Sequence, residues 1–167
     1  SFRLKTNGWW VNSAVAACYE GMPWFTGAAI MAAAWPDARI VALAVLYSVG
    51  AHGIMTLNDF KSVEGDLKTG VGSLPARLGV DRAAKVACLF MTLPQLVVVA
   101  LLLAWGRPWH AGAVAILVLA QLGLMVRLLE RPRERAPWYN ATGTSLSVIG
   151  MMVSAFALRP LLQVRSG

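Results

Sequence analysis

The chain has 167 residues, of which 57% are hydrophobic and 14% charged, and its mean hydropathy is +0.60. Soluble domains carry about 25% charged residues, so this composition excludes an ordinary soluble enzyme and indicates a membrane protein. A formal net charge of +7 would suit nucleic-acid binding, but the placement of the basic residues along the chain explains it differently.

Five apolar runs are long enough to cross a bilayer, which takes about 20 residues of α-helix. They predict an all-α fold: a polytopic transmembrane helix bundle in which residues 1–167 form a single domain. The predicted spans are 10–34, 39–57, 84–104, 111–129 and 141–158.

The basic residues predict the orientation of these spans. If the loop after residue 57 is cytoplasmic, every Lys and Arg lies on the cytoplasmic side except Arg39, Arg107, Arg159 and Arg165. Cytoplasmic loops of membrane proteins are enriched in Lys and Arg. We therefore expect an integral membrane protein in contact with the lipid bilayer, with its N-terminus inside, its C-terminus outside and no nucleic-acid partner.

The first span contains an acid, Glu20, near its middle. A charged carboxylate at that depth costs about 2.5–3.5 kcal/mol on insertion scales, which marks a candidate functional residue. Pro23 removes a backbone donor and should distort the helix one turn earlier, at Tyr19 or Glu20. Two interpretations stay open: a carboxylate in a cavity wall, or a protonated Glu bonded to a neighbouring helix.

The end of the second span carries the most informative motif, Asn58–Asp66 (NDFKSVEGD). On one helix, Asp59, Ser62 and Asp66 would share a face, and His52 would extend that face two turns back into the span. Paired carboxylates offer the oxygen ligands that Mg²⁺ prefers. The alternatives are a solvated charged loop and a His that only packs. The pattern predicts a short amphipathic helix carrying Asp59 to Asp66.

The longer stretch 58–79, NDFKSVEGDLKTGVGSLPARLG, resembles the second aspartate-rich motif of the UbiA-type prenyltransferases. Many members carry a third Asp where this chain has Ser62. A Ser at this position resembles the pattern of the chlorophyll and bacteriochlorophyll synthases within the superfamily. The same resemblance is seen in the stretches FRLKTNGWW (2–10) and YEGMPWFTGA (19–28).

The resemblance implies a nine-helix intramembrane enzyme that uses Mg²⁺ to ionise a geranylgeranyl or phytyl diphosphate. The prenyl group then passes to the propionate carboxylate of a chlorophyllide-type macrocycle, the last step of pigment synthesis. It also implies a bacterial inner membrane, either cytoplasmic or intracytoplasmic and photosynthetic. Proteins of pigment biosynthesis or of the photosynthetic apparatus are possible partners.

The resemblance also implies roles for individual residues. Asp59 and Asp66 would be the catalytic metal ligands. Gly72 stands where members often have a basic residue, so Lys61 or Lys68 would bind the diphosphate instead. The residues expected to line the substrate cavity are Tyr19, Glu20, His52, Asn58 and Ser62.

The first aspartate-rich motif of the superfamily is not found in this sequence. We therefore expect the chain to correspond to the C-terminal five of nine helices and to be inactive alone. Two alternative functions remain. One is a quinone or haem prenyltransferase of the same superfamily. The other is a fragment of a transporter or channel, which Glu20 and the distorted first span would suit.

Overall fold

The computed structural model describes residues 7–163, with side chains as far as Arg159. Residues 1–6 and 164–167, which include Arg165 and the start of the 2–10 motif, lie outside the described residues. The described part is helical and contains no strand, which confirms the all-α prediction. Its helices are α1 (Gly8–Ala16), α2 (Met22–Ala32), α3 (Ala38–Asn58), α4 (Val63–Thr69), α5 (Leu74–Leu78), α6 (Val80–Ala104), α7 (Pro108–Glu130) and α8 (Pro132–Gln163).

Four helices of the described chain are long and apolar enough to cross a membrane. They cover Ala38–Lys61, Val80–Ala104, Pro108–Glu130 and Pro132–Arg159, and they agree with the last four predicted spans. The charged start of α8 is helical as well, so this helix begins before the predicted boundary at residue 141.

The first predicted span is divided into two shorter helices. A π-helical turn, Ala17–Gly21, joins α1 to α2, and the Met22 N–H donates to the Ala17 carbonyl. Pro23 lacks an N–H and its ring crowds the carbonyl four residues earlier, so the regular helical ladder cannot continue through this turn. The irregularity lies where Pro23 predicts one, but neither α1 nor α2 alone is long enough to span a bilayer.

Close packing of α3 against α6 forms the centre of the bundle. A Cβ atom on Gly53 would lie 2.5 Å from the Ala87 carbonyl oxygen and 2.7 Å from Met91 Cγ. Small residues at such positions let two backbones approach each other. Leu57 and Leu128 lie in the buried cluster around this contact.

Buried polar side chains join the helices at fixed points. Gln95 on α6 donates to Gln121 Oε1 on α7 at 3.1 Å and lies 3.2 Å from Ser147 Oγ on α8. The Tyr47 hydroxyl on α3 is 2.8 Å from Ser154 Oγ on α8. A buried polar group without a partner is costly, so these bonds define how the helices align along their axes.

We predict that Gly53→Ala destabilises the protein by about 1–3 kcal/mol, because the added methyl group must push α3 and α6 apart. The free energy of unfolding would be measured by denaturant titration in detergent micelles, using protein expressed from its complete reading frame. Gly123→Ala on α7 is the control, since a Cβ there meets nothing within 4 Å. Equal stability of the two variants would contradict the proposed close packing.

Candidate functional site

The acidic motif does not form one helix. Asp59 begins a 3-10 turn, Asp59–Lys61, that continues α3, whereas Asp66 lies on α4. Between them, the Ser62 N–H donates to the Asp59 carbonyl at 3.0 Å, and the Ser62 hydroxyl donates to the same oxygen at 3.1 Å. Such local Ser–backbone bonds compete with helical ones. The prediction of a single short helix carrying Asp59 to Asp66 is therefore wrong.

The fold nevertheless brings the two acids together. Ser62 Oγ is 3.0 Å from Asp66 Oδ2, and the Asp59 and Asp66 carboxylates are close enough to interact electrostatically. Both acids are half-buried, and Ser62 is exposed. The arrangement presents two carboxylates and a hydroxyl, an all-oxygen set of donors, at one end of α3.

A polar edge of α1 contacts the same part of α3. Asn12, which is 4% exposed, donates from Nδ2 to Asp59 Oδ2 at 3.0 Å and to Thr56 Oγ1 at 3.3 Å. Next to it, Ser13 Oγ lies 3.1 Å from His52 Nδ1. His52 and Asp59, two members of the face predicted from the sequence, thus lie against α1, together with Thr56.

Sequence reasoning missed Asn12 and Ser13. They are adjacent polar residues in an otherwise apolar run, and buried polar residues in membrane helices commonly bond to a neighbouring helix. This signal was present in the sequence. The partners of Asn12 and Ser13 could not be predicted from the sequence, because they depend on how α1 packs against α3.

His52 lies in the wall of an apolar cavity. The imidazole is buried and contacts the rings of Trp9 and Phe90, with ring centroids 5.4 Å and 4.7 Å away. Its Nε2 atom has no hydrogen-bond partner among the described residues. The cavity has a volume of about 490 Å³, lies between α1–α2 and α3, and is lined mainly by apolar side chains such as Phe25 and Val45.

Two other predicted cavity residues lie elsewhere. Glu20 lines a separate space of about 20 Å³ together with Tyr47, Gln95 and Ser147. Tyr19 is 73% exposed and lines none of the described cavities that contain His52 or Glu20. The structure therefore does not place Tyr19 or Glu20 beside the two carboxylates.

The remaining predicted residues surround the acids at the membrane boundary. Asn58 Oδ1 accepts a hydrogen bond from Asn140 Nδ2 at 2.8 Å, which joins the motif to α8. Lys61 and Lys68 are exposed, and in the described part of the chain neither forms an ion pair. Their predicted role with diphosphate stays a prediction.

The described residues contain no group of three His, Cys, Asp or Glu side chains that could hold a metal ion. Any cation at Asp59 and Asp66 would need further ligands. Diphosphate oxygens and water are suitable, because protein-bound Mg²⁺ usually has one or two carboxylates and completes its octahedron in this way.

The loop after α4 is also attached to α1. The Gly8 N–H donates to the Gly72 carbonyl at 2.7 Å, and Arg77 Nη1 donates to Asn7 Oδ1 at 3.4 Å. The motif is thus held against α1 at two places, by Asn12 near its start and by Gly8 near its end. Both contacts form at the same end of the bundle.

Comparison with known proteins agrees with this architecture. Residues 1–157 match the UbiA prenyltransferase family. The chain belongs to this family. No solved structure matches the chain.

The curated relatives include two bacterial proteins and a plant protein. The chain is 56% identical to the bacteriochlorophyll synthase 33 kDa chain of Cereibacter sphaeroides, over 95% of this chain and 53% of the relative. It is 49% identical to the protein of the same name from Rhodobacter capsulatus, over 94% and 53%. It is 37% identical to chloroplastic chlorophyll synthase from Arabidopsis thaliana, over 93% and 40%. The chain spans about half the length of the two bacterial relatives.

We predict that Gly8→Ala loosens the attachment of the motif to α1. The added Cβ would lie 2.8 Å from both the Gly72 oxygen and the Leu74 nitrogen, so the Gly8–Gly72 bond could not keep its geometry. A hydrogen bond contributes about 0.5–1.5 kcal/mol, so amide exchange at the start of α1 and in residues 70–79 should accelerate about 2- to 10-fold.

Hydrogen–deuterium exchange with mass spectrometry measures this effect. Gly27→Ala on α2 is the matched control in the same span, because a Cβ there has nothing within 4 Å. Unchanged exchange at residues 70–79 in Gly8→Ala would contradict the attachment.

Proposed function

We propose that the protein containing this chain transfers a prenyl group, geranylgeranyl or phytyl, from its diphosphate to the propionate carboxylate of a bacteriochlorophyllide- or chlorophyllide-type macrocycle. The observation that carries this proposal is the pairing of Asp59 with Asp66 at the end of α3, near an apolar cavity. The bacteriochlorophyll synthase relatives favour this acceptor over a quinone precursor or haem. Membership of a prenyltransferase family favours transfer over transport.

The carboxylates fit Mg²⁺ by the chemistry of their donors. Asp59 and Asp66 supply oxygen only, and in the described part of the chain no soft ligand lies with them. Bound Mg²⁺ would neutralise the charge that develops on the departing diphosphate. Asp59 and Asp66 would hold the ion, while Lys61 or Lys68 would approach the outer phosphate oxygens as mobile point charges.

The cavity beside His52 would hold the prenyl tail. Its volume of about 490 Å³ and its apolar walls suit an isoprenoid chain. His52 lies two helical turns before Asp59, so a tail in this cavity can extend from a diphosphate at the membrane boundary. Apolar walls also exclude water, which would otherwise compete with the carboxylate acceptor.

We place the two acids on the cytoplasmic side of a bacterial inner membrane, with the N-terminus inside and the C-terminus outside. In the structure, Arg133 at the start of α8 forms an ion pair with Glu64 on α4, so the Arg-rich start of α8 lies at the same end of the bundle as the two acids. The positive-inside rule places that end in the cytoplasm. The diphosphate released from the prenyl substrate would then leave to the cytoplasm.

We predict that Asp59→Ala and Asp66→Ala each lower prenyl transfer about 10²- to 10³-fold, the usual loss when one electrostatic contact to a developing charge is removed. Membranes containing protein from the complete reading frame would receive geranylgeranyl diphosphate, Mg²⁺ and bacteriochlorophyllide. The esterified pigment is then separated by chromatography. Glu64→Ala is the control, because this acid lies within the motif but is exposed and pairs with Arg133.

Transfer within about threefold of wild type in either Asp variant would reject the metal role, since loss of a carboxylate ligand must weaken the site far more. Normal membrane insertion of each variant is checked by its resistance to extraction with carbonate. The same membranes are offered an aromatic quinone precursor and haem. Faster prenylation of either acceptor than of bacteriochlorophyllide would support the alternative prenyltransferase function.

A further inference from the structure

Asn12 makes two hydrogen bonds that connect α1 to the acidic end of α3. Its Nδ2 atom donates to Asp59 Oδ2 at 3.0 Å and to Thr56 Oγ1 at 3.3 Å. Only 4% of Asn12 is exposed, and it lies inside the first predicted span. Water therefore cannot replace these contacts if the side chain is removed.

The orientation of the Asn12 amide follows from its partners. Thr56 Oγ1 donates its hydrogen to the His52 carbonyl at 2.9 Å, so towards Asn12 it can only accept. Asp59 Oδ2 is a carboxylate oxygen and also accepts. Both neighbours require a donor, and the amide NH₂ has two hydrogens, one for each. The Asn12 nitrogen must therefore face Asp59.

Asn12 constrains only one oxygen of Asp59. The Asp59 side chain forms no other hydrogen bond in the described part of the chain. Bonding of Oδ2 restricts the rotation of the carboxylate and leaves Oδ1 available for another ligand. Partners that orient a ligand in this way commonly contribute a 10- to 100-fold effect on metal affinity.

We propose that Asn12 is a positioning residue that orients Asp59 for the cation of the transfer reaction, with the Thr56–His52 carbonyl bond setting the direction of the Asn12 amide. This inference rests on the proposed metal role of Asp59. Asn12 itself would touch neither the cation nor the substrates. It acts from α1, a helix that the aspartate motif does not include.

The test uses Asn12→Leu in protein expressed from its complete reading frame. Leu branches at Cγ as Asn does and has no donors, and it is larger than Asn, so the change removes both bonds without leaving a cavity. Mn²⁺ replaces Mg²⁺ as the probe, in the presence of an uncleavable prenyl bisphosphonate, and binding is followed by electron paramagnetic resonance. We expect the Mn²⁺ dissociation constant to rise about 10- to 100-fold.

Ser154→Ala is the matched control, because it also removes two buried hydrogen bonds: one to the Gly150 carbonyl and one between helices, with Tyr47. Its Mn²⁺ affinity should stay within about twofold of wild type, since no metal contact depends on those bonds. Loss of affinity in Ser154→Ala equal to that in Asn12→Leu would attribute the effect to general destabilisation and overturn the inference.

Asp59→Ala and Asp66→Ala in the same assay separate this inference from the proposed function. If both bind Mn²⁺ as wild type does, the proposed metal site is wrong and the inference fails with it. If both lose affinity while Asn12→Leu stays within about twofold of wild type, the metal site stands and only the positioning role is overturned.

A second variant is available if Asn12→Leu does not accumulate in the membrane. Thr56→Val keeps the side-chain shape and leaves Asn12 and Asp59 intact, but it removes the acceptor that sets the amide direction. We expect the Mn²⁺ dissociation constant to rise about fivefold, in line with one buried hydrogen bond. An unchanged constant would overturn the inference.

Turnover gives an independent readout. In Asn12→Leu the Mg²⁺ concentration for half-maximal transfer should rise together with the Mn²⁺ dissociation constant, whereas the KM for bacteriochlorophyllide should not change. A variant that raises the KM for the macrocycle and leaves the Mg²⁺ requirement unchanged would place Asn12 at the acceptor and contradict its role at Asp59.

Discussion

Hydrogen bonds between buried polar side chains of different helices define how this bundle packs, and the rest of this structure depends on them. Asn12 on α1 forms such bonds with α3, Tyr47 on α3 forms one with α8, and Gln95 on α6 forms one with α7. Apolar contacts alone allow helices to slide, because one Leu or Val packs almost as well as another. Each buried polar pair permits a single register.

The close backbone contacts serve the same end. Gly53 lets α3 approach α6 near His52 and Thr56, and Gly8 lets α1 approach the loop at Gly72. With a larger residue at Gly8, the start of α1 would be displaced from the loop, and Asn12, one turn later, would be displaced with it. The small residues and the polar pairs therefore act together: the first allow the approach, and the second define its position.

Much of the fold followed from sequence, because each long helix has its own apolar run. The four described spans and the distortion before Pro23 could be predicted from local chemistry. The acidic pair was also recognisable, but its local shape was not. Ser62 breaks the helix by bonding to Asp59, a competition between side chain and backbone that periodicity does not detect. Asn12 was missed because its hydrogen bonds form only between two helices, α1 and α3.

Glu20 was predicted to line the substrate cavity because it lies near the middle of the first span, and the structure places it differently. Ser13 before the turn, Ala17 and Gly21 at its two ends, and Phe25 after it all line the larger cavity. Glu20 lines a different space, together with Tyr47, Gln95 and Ser147, and its volume of about 20 Å³ is close to that of one or two water molecules. Its neighbours are the polar groups that join α3, α6 and α8. Glu20 therefore lies apart from Asp59 and Asp66, and its depth in the membrane does not by itself make it part of their site.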